Sequence, residues 1–152
     1  MKRMTREELW LDLATSLARR STCDRAAVGA VLVGNNHIIG VGYNGSPRGT
    51  PHCSDVGCLE SPEDGRCKRT IHAEANAVAH KTVDSSLYFS VDLYVTHKPC
   101  IDCLKLAIST GVGRIYYIWD YKDEERDFFL KENPHVITFY QYQKTAARLV
   151  KE

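Results

Sequence analysis

Two short pieces, His72-Ala73-Glu74 and Pro99-Cys100-Ile101-Asp102-Cys103, constrain this chain more than anything else in it. The Ala-rich run Ala73, Ala75, Ala77 and Ala79 reads as a helix, so His72 and Glu74 lie at its N-terminus and can both face a cleft. Cys100 and Cys103 are one helical turn apart, with a proline before them and Leu104, Ala107 and Ile108 after them. That places the pair at the first turn of a second helix, where the macrodipole favours thiolates. One imidazole and two thiolates fill three corners of a tetrahedron. A zinc ion held this way keeps an open position for water, the mark of a catalytic zinc, whereas a structural zinc takes four protein ligands. Zinc lowers the pKa of water towards about 7, and Glu74, free of the metal, is placed to carry the proton.

Composition narrows the classes further. The chain has 152 residues, 43% hydrophobic and 26% charged, which predicts one domain over residues 1–152 with a core of its own. No apolar run approaches the roughly 18 residues of a membrane span. The N-terminus, Met1-Lys2-Arg3-Met4-Thr5-Arg6, is charged and leads into no apolar segment, so it does not read as a secretory signal. A cytoplasmic location is expected. With 20 basic against 19 acidic residues the net charge is +1, which argues against a large nucleic-acid footprint and for a small substrate.

The rest of the chain punctuates itself. Residues 5–20 carry a helical stripe (Leu9, Leu13, Leu17) opened by Thr5 with Glu8 three positions on, a capping box. Residues 26–33 and 37–42 are β-rich, split by the hairpin turn Gly34-Asn35-Asn36. Residues 43–69 have no sustained period; a loop that long needs a functional or metal-stapling reason. Beyond the His72 helix, residues 92–96 read as a strand, Cys100 to Thr110-Gly111 as a helix, 114–119 as a strand, 123–133 as a helix and 136–140 as a last strand. The tail, residues 141–152, is read as helical. The predicted fold is α/β, a three-layer αβα sandwich around a mixed five-stranded sheet opened by an antiparallel hairpin.

The H-x-E and P-C-x-x-C pair is the signature of zinc nucleobase deaminases. Together with Gly42-Tyr43-Asn44-Gly45-Ser46-Pro47, Arg69-Thr70-Ile71-His72 and Tyr94-Val95-Thr96, it makes the chain resemble the deoxycytidylate deaminase family within the cytidine-deaminase-like superfamily, over about residues 5–140. The resemblance implies hydrolysis of dCMP to dUMP and ammonia by zinc-activated hydroxide, with zinc on His72, Cys100 and Cys103 and with Glu74 moving the protons. It also implies a supply role for thymidylate synthesis, activation by dCTP, inhibition by dTTP and a homo-oligomer, a hexamer in the family, with no nucleic-acid or membrane partner. Asn44 reads either as a turn residue or, by resemblance, as a contact to the deoxyribose. Tyr121 reads either as a rim tyrosine or as the aromatic residue at the pocket mouth. Arg25 and Arg48 are candidates to hold the phosphate, against the plainer reading of solvated surface arginines.

Four cysteines remain: Cys23, Cys53, Cys58 and Cys67. In a reducing compartment they are poor disulfide material, and four thiolates suit one structural zinc that would staple the long loop. Similar proteins with a second zinc place ligands at the positions of Cys23 and Cys53. His52 could replace one ligand, and four metal-free cysteines are the alternative. The rival functions are another zinc deaminase, acting on tRNA adenosine, guanine or free cytidine, and a non-enzymatic zinc-binding module. Glu74 argues against the second, because a scaffold has no use for a free carboxylate two residues from a ligand.

Overall fold

The computed structural model describes residues 1–144 and 148–152. Helix α1 (Arg6–Ala18) starts at Thr5, whose hydroxyl accepts from the Glu8 amide at 3.2 Å while the Glu8 carboxylate accepts from the Thr5 amide at 2.8 Å. The capping box is therefore closed in both directions. Strands β1 (Gly29–Gly34) and β2 (His37–Tyr43) pair antiparallel across a turn in which Asn35 and Asn36 take φ of 48° and 66°. Asparagine is among the few side chains that enter that left-handed region readily, and two such residues give the turn whose twist matches the flanking strands.

A short helix α2 (Cys53–Val56) interrupts the long loop, and α3 (Ala73–Ala79) follows it. Then come β3 (Val91–His97), α4 (Ile101–Ser109), β4 (Val112–Trp119), α5 (Glu124–Glu132), β5 (Thr138–Gln143) and β6 (Arg148–Lys151). The sheet runs in the order β2-β1-β3-β4-β5-β6, with β3, β4 and β5 parallel and the remaining pairs antiparallel. The sheet is six-stranded where the sequence predicts five. The difference lies in the tail: residues read as helical extend β5 and form β6, while residues 145–147 of that reading lie outside the described residues. The β5–β6 pairing gives the tail's backbone amides partners along the open edge of β5, which a helix lying apart from the sheet would not use.

Period-two alternation sends β1 into two cores. Ala30 and Leu32 join Leu93, Val95, Ile115 and Tyr117 on the face covered by Ala73 and Ala77 of α3 and Leu104 and Ala107 of α4. Val31 and Val33 join Tyr94, Tyr116 and Ile118 on the face covered by Leu11 and Ala14 of α1. Tyr94, Tyr116 and Tyr140 stack across three strands with centroids 4.5 and 4.8 Å apart. Helix α3 reaches the sheet unusually closely: a Cβ on Gly40 would lie 2.3 Å from the Ala77 carbonyl oxygen, and one on Gly42 would lie 2.3 Å from that of Ala73. Bare backbone on β2 thus seats the helix whose first turn carries His72 and Glu74. Among the described residues no helix is long and apolar enough to cross a membrane.

Candidate metal centres and active site

His72 is the N-cap of α3 and Cys100 the N-cap of α4, and neither side chain caps its own helix. Both are turned instead toward Cys103. The His72 Nδ1 lies 3.5 Å from Cys100 Sγ and 3.3 Å from Cys103 Sγ. A tetrahedral zinc with Zn–N near 2.0 Å and Zn–S near 2.3 Å separates nitrogen from sulfur by about 3.5 Å, so the imidazole stands from each sulfur at about the spacing the ion requires, and all three donor atoms lie within 4.8 Å of one another. The Cys100 thiol is held down to about 4, chiefly by the Cys103 thiol and further by the His72 ring, while that same bond and burial push Cys103 up. One sulfur is a ready thiolate, and a divalent cation would displace the remaining proton.

Glu74 follows in the first turn of α3, 5% exposed, and burial pushes its carboxyl above the ordinary range. It supplies no cluster ligand, yet its carboxylate feels the charges of both His72 and Cys100. A buried carboxyl raised above its ordinary range and standing beside the metal donors is suited to carry protons.

A cavity of about 250 Å³ opens over these groups. Asn44 lines it, 5% exposed, accepting from the Val28 amide at 2.8 Å and donating to the Ala26 carbonyl at 2.7 Å. Its amide clamps the segment leading into β1 and keeps one donor and one acceptor site to spare. Tyr121 stands at the mouth, a third exposed, and Arg25 lines the wall while pairing with Glu60 at 3.6 Å. Arg48 is exposed and lies outside the lining, on the turn closed by the Thr50 amide on the Pro47 carbonyl. Arg66, His97 and Lys98 line the cavity without having been singled out from the sequence. The Arg66 guanidinium sits 5.5 Å from the centre of the Tyr121 ring, an arginine-on-aromatic contact at the cavity mouth. Its flanking cysteine, Cys67, was the available signal. His97 and Lys98 had one too, lying between the β3 pattern and Pro99.

The second group of donors is Cys23, Cys53, Cys58 and Cys67, all free thiols. Cys23 and Cys58 Sγ atoms are 3.8 Å apart, and Cys53 and Cys67 Sγ atoms 3.6 Å apart. The edge of a tetrahedral zinc–thiolate site is about 3.8 Å, far longer than the roughly 2.05 Å of a disulfide. His52 caps α2 and is exposed, so the four sulfurs form the set without it. Burial opposes ionisation of Cys67, but the Arg69 and Thr70 amides and the neighbouring sulfurs hold it down to about 6. Burial pushes Cys53 up to about 12. Cys23 and Cys67 also line the cavity, so the two clusters share a wall.

Residues 4–119 match the model of the cytidine and deoxycytidylate deaminase zinc-binding region. The chain belongs to this family. Both donor groups described above lie within the matched residues. The chain is 43% identical over 122 residues to ComE operon protein 2 of Bacillus subtilis, covering 80% of this chain and 64% of that protein. It is 36% identical over 126 residues to the deoxycytidylate deaminase of Mycobacterium phage D29, covering 77% of this chain and 97% of the phage protein. The crystal structure of a dCMP deaminase from the cyanophage S-TIM5, in complex with dCMP and dUMP, superposes with a TM-score of 0.71 at 27% identity, covering 93% of this chain and 99% of the other. The match thus spans just under two thirds of the Bacillus protein and nearly all of the phage ones. The mixed sheet with flanking helices is the cytidine-deaminase-like fold these relatives share.

Proposed function

We propose that this chain, one domain over its 152 residues, hydrolyses dCMP to dUMP and ammonia. One observation carries the reading: three clustered metal donors, with the imidazole 3.5 and 3.3 Å from the two sulfurs, stand beside a buried carboxyl outside the donor cluster, under a cavity of nucleotide scale. The phage relatives that deaminate deoxycytidylate, one of them bound to dCMP and dUMP, support the choice of substrate. His72, Cys100 and Cys103 would hold a catalytic zinc, and Cys23, Cys53, Cys58 and Cys67 a structural one. The catalytic ion supplies Lewis acidity, making a nucleophile of water near neutral pH.

The chain's own residues do the rest. Glu74 accepts a proton from the attacking water and delivers it to N3 of the cytosine ring as the oxygen bonds to C4. It then passes the second water proton to the departing amine, so that C4–N breaks, ammonia leaves and the carboxylate is restored. Asn44 offers its spare amide valence to the deoxyribose, and Tyr121 covers the ring from the mouth. Arg25 and Arg66 are the cavity cations that suit the 5′-phosphate, through charge-assisted bonds. The six free thiols suit the reducing cytosol, where feeding thymidylate synthesis would place the enzyme. Regulation by dCTP and dTTP and assembly into an oligomer, a hexamer in the family, belong to the same proposal.

The test is ammonia release across dCMP, CMP, deoxycytidine, guanine and a tRNA adenosine substrate. Turnover of dCMP far above all others supports the reading. Equal rates on deoxycytidine and dCMP would replace it with a nucleoside deaminase.

A further inference from the structure

Asp123 and Arg126 are both buried, 3% and 2% exposed, and neither is a metal donor or part of the cavity lining. Burying two charges is costly unless every bond they can make is made. What they bond to is the turn that carries Cys100.

A helix start leaves its first amides unpaired, and the N-cap side chain ordinarily takes one of them. Cys100, the N-cap of α4, makes no such bond, because its sulfur is turned to His72. Asp123 supplies the missing acceptor from another helix. Its Oδ2 accepts from the Ile101 amide at 3.1 Å and from Arg66 Nη2 at 3.4 Å. Its Oδ1 accepts from the Arg126 amide at 2.9 Å, so one carboxylate caps the starts of both α4 and α5. Arg126 closes the grip from the other side: its Nη1 donates to the Pro99 carbonyl at 3.1 Å and to the Tyr121 carbonyl at 2.7 Å. Asp127 orients the guanidinium by accepting from Nε at 2.9 Å and Nη2 at 2.8 Å.

The Pro99 carbonyl and the Ile101 amide belong to the two peptide units that meet at the Cα of Cys100. Holding both fixes the torsions that aim its sulfur. The Tyr121 bond ties the same brace to the cavity mouth, and Arg66 reaches from Asp123 toward that tyrosine's ring. We propose that Asp123 and Arg126 are positioning residues for the zinc site, locking the Cys100 sulfur and the Tyr121 mouth into one geometry. The proposal rests on reading Cys100 as a zinc ligand.

The experiment uses the full chain loaded with cadmium, whose NMR resonance distinguishes a four-sulfur site from a two-sulfur, one-nitrogen site, together with the rate at which each zinc passes to a chelator. Asp123→Asn leaves one acceptor and two donors where three donors converge, so it should shift the resonance of the ion on His72, Cys100 and Cys103. It should also speed that ion's loss about 10–100-fold, as other losses of a ligand's supporting partner do, with the four-cysteine resonance unmoved. Asp127→Ala, at an exposed position, should shift the same resonance by less. Arg126→Lys should restore part of what Arg126→Ala loses. An unmoved resonance and release within about twofold of wild type in Asp123→Asn would overturn the brace, and so would equal loss of both ions, which is what a merely structural role gives. If Asp123→Asn does not fold, Asp127→Ala decides, and an unmoved resonance there overturns the proposal. A wild-type protein with no ion on His72, Cys100 and Cys103 would overturn the ligand reading itself, before any variant is made.

Discussion

The two donor clusters share a wall but are built in opposite ways. His72 and Cys100 stand at the first residues of α3 and α4, with Cys103 one turn further, so regular elements packed on the sheet core fix them. Cys23, Cys58 and Cys67 lie on irregular segments, and Cys53 opens a helix of four residues. The first cluster has three donors and a buried carboxyl at its side, and the second has four donors and none. Rigid elements aim a reactive metal, whereas loops need a metal to acquire a shape at all. A zinc on the four cysteines would give the loop its order, whereas one on His72, Cys100 and Cys103 would use the order the core already provides.

That contrast breaks or sharpens under substitution. Cys100→Ala should remove one ion and abolish turnover together, with the four-cysteine ion retained, as zinc analysis beside a dCMP assay would read. Glu74→Gln should keep both ions and dCMP binding while kcat falls about 10²–10⁴-fold, the usual cost of losing a general acid–base group. Activity near wild type would remove Glu74 from the mechanism. Arg66→Ala should raise KM for dCMP about 10–100-fold and leave deoxycytidine kinetics alone, since a hydrogen bond to a charged group contributes about 1.5–3 kcal/mol. Cys53→Ser should lose the other ion, lower the melting temperature and weaken dCMP binding more than it slows chemistry. A fall in kcat with KM unchanged would contradict the division of labour between the clusters. Thr5→Ala, at the capping box far from either cluster, should cost only about 1 kcal/mol and about 2–4 °C in melting temperature, with turnover unchanged.

What was legible in the sequence follows the same division. His72, Glu74, Cys100 and Cys103 could be placed because their spacing and the helical patterns after them are local, as are the Thr5–Glu8 box and the Asn35–Asn36 turn. The four loop cysteines could be grouped by elimination, but their convergence joins residues as far apart as Cys23 and Cys58, which no periodicity records. Arg48 was a cation the sequence offered and Arg66 was not; the turn after Pro47 takes the first outward, and Asp123 and the Tyr121 ring bring the second to the mouth. The brace of Asp123 and Arg126 looked like an ordinary helix start, because its partners, Pro99 and Ile101, lie on another element. The tail was misread because its pairing is with the edge of β5, and edge pairing depends on neighbours in space rather than on side-chain pattern.

Zinc counted per chain, on wild type, Cys53→Ser and Cys100→Ala purified without chelator, tests the central claim most directly. The account predicts two ions in wild type and one in each variant, with dCMP turnover retained in Cys53→Ser at saturating substrate and absent in Cys100→Ala. One ion per wild-type chain, with four thiols titrating freely in the folded protein, would contradict it.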